Sequence, residues 1–252
     1  MAADKPDEGH EGPDFYDNAS VFATYSAHRE QADNPNDTLE LPVMLELIGG
    51  VRGLDFLDLG CGDGRFGKAL LAAGAASYTG VDGSKNMIAA AARELHGTGG
   101  SATFADIRSW PFPTEGADCV TSRLVLHYIA DVAAMFENVR RALRPNGRFV
   151  FSVEHPVITS CSAGWDGQSQ RRNWIVDDYF VIGPRTTNWL GARVVKHHRT
   201  VEDYFGMLQS AGFVVESLRE SRPDRSRFAD AESFARRQRI PLFLFLAARR
   251  AE

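Results

Sequence analysis

Asp58-Leu59-Gly60-Cys61-Gly62-Asp63-Gly64 follows directly on the apolar-rich run Leu54 to Leu57. A short buried strand that ends in a glycine-rich turn and opens into a helix leaves backbone N–H groups unpaired and lets a ligand approach the main chain. Two templates fit these residues. Gly62, Gly64 and Gly67 spell G-x-G-x-x-G, with Asp82 twenty residues past Gly62, the spacing of a dinucleotide site and its ribose-binding acid. Asp58, Gly60, Gly62 and Gly64 spell D-x-G-x-G-x-G instead, so the turn alone does not choose the ligand.

Outward from this turn, strands alternate with helices. Asp55 to Leu59, Ser77 to Val81, Ala102 to Phe104, Cys119 to Ser122 and Arg148 to Val153 read as short strands. Arg65 to Ala73, Ser84 to Leu95 and Val132 to Leu143 read as helices, with Ser84 as an N-cap. This order predicts an α/β protein whose parallel sheet is covered on both faces. Val201 to Ser210 then reads as a helix, Phe213 to Leu218 as a strand, Arg219 to Asp230 as a polar loop, and the apolar Ile240 to Ala247 as a closing buried strand. Helical spacing over Asp17 to Ala32 and Asn36 to Ile48 predicts two N-terminal helices. The expected plan is a flexible acidic tail over 1–15 and a single domain over 16–252. That domain carries a helical cap at 16–50 and an insertion at 155–199, which is long, aperiodic and rich in Gly, Trp and Arg.

The chain has 252 residues, 44% apolar and 24% charged, with a formal net charge of -5. That balance argues against a general nucleic-acid or anionic-membrane surface and favours work on a small molecule. Cys61, Cys119 and Cys161 are scattered and suggest neither a disulfide framework nor a zinc site. No apolar run reaches the length of a spanning helix, and Met1 to Gly12 lacks the regions of a signal peptide. A cytoplasmic location is expected.

Five segments, in order and spacing, resemble class I S-adenosylmethionine (SAM)-dependent methyltransferases: DLGCGDG at Asp58 to Gly64, VDGS at Val81 to Ser84, ADI at Ala105 to Ile107, DCVTSRLVLHYI at Asp118 to Ile129, and LRPNGRFVFSVEHP at Leu143 to Pro156. The resemblance covers about Tyr16 to Ala247. It implies a Rossmann-like, mostly parallel seven-stranded sheet with an antiparallel last strand, and SAM as cofactor with S-adenosylhomocysteine as product. It also implies roles. Asp58 and Gly60 would meet the ammonium of the methionine part, while Gly62 and Gly64 clear room beside the backbone. Asp82, with Gly83 beside it, would accept the ribose hydroxyls. Asp106 would accept the adenine amino group under Ile107, Met87 would pack beneath the ribose or adenine, and Arg123 and Leu124 would floor the sulfonium. Tyr16, Tyr25 and Arg29 resemble N-terminal residues that fold over the cofactor in related enzymes, where Arg can pair with the methionine carboxylate. For each aspartate the alternative is turn formation or helix capping, and for Met87 and the tyrosines it is core packing. A dehydrogenase reading would need a separate catalytic domain, for which too little chain follows.

Methyl transfer is an in-line displacement, so the enzyme's main task is to hold the acceptor atom in line and exclude water. His155 directly follows the fifth strand and is the first candidate for acceptor contact or base, with Glu154 as partner or direct ligand. Strand alternation sends those two side chains to opposite faces. His127 stands beside the expected cofactor, and His198 and Arg199 could meet an acceptor carboxylate or phosphate if the insertion folds over the site. Structural roles are the alternative for each. Trp165 and Trp189, with Trp174, Tyr179 and Phe180, suit an aromatic or extended apolar acceptor. The function expected is methyl transfer to oxygen or nitrogen, with carbon open, of a small molecule. The alternatives are an RNA or protein methyltransferase and a non-catalytic SAM-binding regulator. Neither the acceptor nor the oligomeric state follows from the sequence.

Overall fold

The computed structural model describes residues 10–31, 33–166 and 173–251. In chain order the strands are β1 (His10–Glu11), β2 (Asp55–Leu59), β3 (Ser77–Asp82), β4 (Gly100–Phe104), β5 (Ala117–Arg123), β6 (Leu143–Glu154), β7 (Gly183–Trp189), β8 (Ala192–His198), β9 (Phe213–Glu220) and β10 (Phe243–Arg250). The helices are α1 (Gly12–Asp17), α2 (Ala19–Arg29), α3 (Leu41–Ile48), α4 (Arg65–Ala72), α5 (Lys85–Glu94), α6 (Val132–Ala142), α7 (Pro156–Thr159), α8 (Val201–Ser210) and α9 (Ala231–Arg237), with a π-helical turn at Asn36–Glu40.

Seven strands form one sheet in the order β4-β3-β2-β5-β6-β10-β9. β10 runs antiparallel to both neighbours, and the pairs from β4 to β6 are parallel. This is the Rossmann-like sheet expected. Both faces are covered because the central strands are apolar on both sides. Phe149, Phe151, Leu244 and Leu246 meet Phe136 of α6 and Tyr204 of α8, while Phe56, Tyr78, Val150 and Phe245 meet Met44 of α3 and Leu70 of α4. The helix starts follow from local chemistry. Ser84 Oγ accepts the Met87 N–H at 3.2 Å, and Thr200 and Asp203 close a reciprocal capping box at the head of α8. No helix among the described residues is long and apolar enough to cross a membrane.

The two ends of the expected plan are corrected. The tail does not extend to residue 15: β1 pairs in parallel with β8, and α1 buries Phe15 completely. One apolar ring, invisible to a composition argument, anchors that segment. Residues 1–9 of the expected tail lie outside those described. The insertion, whose residues 167–172 lie outside those described, is regular over its second half. β7 and β8 form an antiparallel hairpin that joins β1 in a second, three-stranded sheet. Its alternation is hard to read because the buried positions of β8 include Lys196 and His198 beside Val194.

Candidate cofactor and acceptor site

The loops after β2, β3 and β5 leave the carboxyl ends of their strands and line one cavity of about 820 Å³, which extends under α1 and the β7–β8 hairpin. Gly60 N and Cys61 N donate to Val81 O at 2.8 and 3.1 Å, tying the glycine turn to the end of β3. Gly60 has φ +76°, and a Cβ there would fall 2.1 Å from a Val125 methyl, so the loops after β2 and β5 touch only because that side chain is missing. A Cβ on Gly62 would meet open space. On the cavity side of Gly62, the main chain is bare.

Asp82 lines this cavity and accepts two main-chain hydrogen bonds, from Gly62 N at 2.9 Å and Ser84 N at 2.8 Å. Burial raises its pKa to about 6 against the lowering effect of those two donors. A carboxylate has roughly four lone-pair positions, so two remain for a ligand. Gly83 lies under Pro13 of α1, and Met87, Ile107, Tyr16, Tyr25 and Arg29 line the same cavity. Asp106 lines it too, with Arg108 Nε at 2.9 and 3.0 Å from its two oxygens; hydrogen bonding to Arg108 holds its carboxyl below the ordinary range. Arg29 donates to Asn34 Oδ1 at 2.9 Å and pairs with Asp37 at 3.1 Å.

Two residues of the glycine turn do not face the cavity as expected. Asp58 is almost wholly buried in the sheet, with Oδ2 accepting from the Tyr78 hydroxyl and Oδ1 from the Thr121 hydroxyl, both at 2.7 Å. Its neighbours are protein, and its pKa is raised by burial. Gly64, at φ +79°, instead lets the start of α4 pack on α5, where a Cβ would stand 3.0 Å from Ala91. Gly67 likewise yields to the Tyr78 ring, 2.3 Å from where its Cβ would be.

Arg123 and Leu124, at the end of β5, also line the cavity. The sequence reading missed what holds them. Glu40, fully buried at the end of the π-helical turn, takes Arg123 Nε at 3.1 Å on both oxygens and forms a further short contact with Nη2. Glu40 Oε1 also accepts from Ser152 Oγ at 2.7 Å, and Ser152 Oγ accepts the Leu124 N–H at 3.1 Å. Leu124 sits at φ +57°, a strained conformation for a leucine, and this network holds it there.

At the acceptor end, alternation along β6 separates Glu154 from His155. Glu154 lines the cavity and pairs with Lys196 Nζ at 2.7 Å. Burial would raise its pKa, but Lys196 outweighs that and leaves it lowered. His155, the first candidate for a base, points elsewhere: its Nδ1 caps α7 by accepting the Val157 N–H at 3.2 Å, and its Nε2 lies 2.9 Å from Glu220. His198 is buried between Thr159 Oγ1 at 2.8 Å and Tyr179 O at 2.9 Å. Arg199 donates to the carbonyls of Ile129 and Ala130 at 2.7 and 2.6 Å. None of the three lines the cavity, and each is held by main-chain or helix-end groups, so all three are structural. His127, Trp165, Trp174 and Trp189 do line the cavity. His127 Nδ1 accepts the Glu154 N–H at 3.3 Å, and burial lowers its pKa to about 4. At neutral pH its ring is therefore uncharged, with the proton on Nε2. Tyr128 and Lys196 are lining residues that the sequence reading did not single out. Tyr128 falls in the stretch carrying the resemblance, which was the available signal. Lys196 opens the polar cluster Lys196 to Thr200, in which the sequence points to His198 and Arg199 alone as acceptor contacts.

A seven-stranded sheet with one antiparallel strand, and a cavity built on the glycine turn, Asp82 and Asp106, define a class I methyltransferase. Comparison with known proteins agrees. The family model for a methyltransferase domain matches residues 57–151. A SAM-dependent methyltransferase from Mesorhizobium loti is 36% identical, covers 88% of this chain and 100% of its own, and superposes with a TM-score of 0.78. Nocamycin O-methyltransferase of Saccharothrix syringae is 30% identical over 199 residues, 75% of this chain and 69% of that protein. An uncharacterized protein of Haemophilus influenzae is 28% identical over 248 residues, 94% of this chain and 97% of its own. The chain belongs to the SAM-dependent methyltransferases.

Proposed function

We propose that this enzyme methylates an oxygen or nitrogen atom of a small-molecule acceptor bound between Glu154 and the β7–β8 hairpin. One observation carries the reading. A single cavity runs from Gly60, Gly62 and Asp82 to Trp165, Trp189 and Lys196, and its volume of about 820 Å³ suits a nucleoside cofactor beside a small molecule. Nocamycin O-methyltransferase, by its name, methylates nocamycin at oxygen.

The donor set fits the cofactor. Asp82 would hold the ribose diol on its remaining lone pairs, Asp106 the adenine amino group, and Ile107 and Met87 the ring faces, while Arg29 stands ready for the carboxylate. When bound, SAM supplies a methyl group on a positively charged sulfur. Gly62 leaves the backbone open to it, and α1 with the hairpin excludes water. Glu154 is ionised, and Lys196 occupies its Oε1, so Oε2 is left to accept the proton that an O–H or N–H acceptor releases. His127 donates from Nε2 and orients. Nucleic acid and membrane have no part in this reading. Incubation with methyl-labelled SAM and fractionated host extract tests it: label should enter the metabolite fraction, and transfer into RNA or protein instead would refute it.

A further inference from the structure

The hairpin carries cations that line the cavity, and one of them meets no carboxylate among the described residues. Arg185 on β7 stands directly opposite Lys196 on β8, so the two share one face, and both line the cavity. Like charges directly opposed on a sheet destabilise it. Lys196 is compensated: it gives one hydrogen bond to Glu154 and lies 5.6 Å from the centre of the Trp189 ring. Arg185 is held differently. Its Nε donates to Ser160 O at 2.8 Å, and its terminal nitrogens donate to the carbonyls of Pro184 and Val181. Among the described residues no carboxylate pairs with it. The guanidinium is thus fixed in place with its charge intact, two of its five donors are unused, and Lys196 keeps two of its three. Thr187, two residues along β7 and so on the same face, lines the cavity with a hydroxyl that has no partner.

Resting on the small-molecule reading above, we propose that Arg185 and Lys196, with Thr187 beside them, bind an oxyanion on the acceptor, a carboxylate or a phosphate. The substrate class is then an anionic small molecule whose apolar or aromatic body lies along Trp165, Trp174 and Trp189. Glu154 is the one carboxylate in this group, and two cations against it leave one positive charge over. An acceptor oxyanion removes that excess through charge-assisted hydrogen bonds. A neutral acceptor leaves Arg185 unanswered, and a cationic one adds to the repulsion.

Titration calorimetry on the full chain saturated with S-adenosylhomocysteine tests this with four probes: benzoate, phenyl phosphate, benzyl alcohol and benzylamine. At least one anion should bind about tenfold tighter than benzyl alcohol, and benzylamine weakest; the better anion tells carboxylate from phosphate. Arg185→Gln should bring the anions to within about threefold of the alcohol. Arg185→Lys should retain most of the preference, and unchanged S-adenosylhomocysteine affinity shows each variant to be folded. The proposal is overturned if neither anion exceeds benzyl alcohol, including the case in which no probe binds at millimolar concentration, or if the preference survives Arg185→Gln. The label experiment above fails separately: methylated RNA or protein removes the small-molecule reading whatever the probes do.

Discussion

The raised pKa of Asp82 makes cofactor affinity depend on pH in a defined window. Burial places that pKa at about 6, and ribose hydroxyls donate to the ionised carboxylate. The sign follows: a proton on Asp82 competes with the ligand, so binding is full above pH 6 and is lost as pH falls through it. With apparent Kd scaling as one plus the ratio of protonated to ionised Asp82, the factor is about 1.1 at pH 7 and about 11 at pH 5. Affinity for S-adenosylhomocysteine should therefore weaken about tenfold between pH 7 and pH 5. Asp106 and Glu154, both held below the ordinary carboxylate range, and His127, at about 4, change little in that window. Asp82→Asn, which removes the titrating carboxyl and keeps the rest of the cavity, is the control. Calorimetry at pH 5, 6, 7 and 8 should give a sloping series for the native enzyme and a flat, weaker one for the variant. A flat native series, or the same slope in Asp82→Asn, would refute the reasoning.

Three further outcomes follow from the packing around the site. Asp58→Ala leaves the Tyr78 and Thr121 hydroxyls unpaired in the sheet and should cost about 2–4 kcal/mol in urea unfolding, while S-adenosylhomocysteine affinity of the folded protein stays within about threefold; a large affinity loss at unchanged stability would restore Asp58 as a ligand. Gly67→Ala drives a methyl into the Tyr78 ring and should destabilise by about 1–3 kcal/mol; thermal unfolding at the native Tm would show that the contact relaxes freely. Glu154→Gln should lower kcat by about a hundredfold if it takes the acceptor proton, whereas His155→Ala should lower stability and spare kcat. The reverse pattern in steady-state kinetics would return the base to His155.

Much of the framework is legible because its elements are defined by local period. β2 was read to the residue, and α5 with its Ser84 cap follows from one serine before a helical run. The alternation of Glu154 and His155 was also visible, although which of the two faces the cavity was not: β6 is paired on both sides, and the turn into α7 claims the outward residue. The hairpin β7–β8 was missed because its inner face carries Arg185, Thr187 and Lys196, of which Lys196 is made tolerable by Glu154 and Trp189 and Arg185 by main-chain carbonyls. Two of those partners, Glu154 and Ser160, lie 42 and 25 residues away in sequence.

The ordered motifs from Asp58 to Pro156 determined by themselves the sheet, the cofactor and the chemistry of the donor. They could do so because a strand-to-helix turn, its glycines and the acids at the strand tips are set by neighbours a few residues away. Tertiary structure alone decided which of those residues meet the cavity. Asp58 turned inward to Tyr78 and Thr121. Gly64 and Gly67 served helix packing. Glu40 came from more than eighty residues away to hold Arg123. A side chain's role depends on what lies opposite it once the layers close, and a buried carboxylate or arginine is governed by whichever partner desolvation forces upon it.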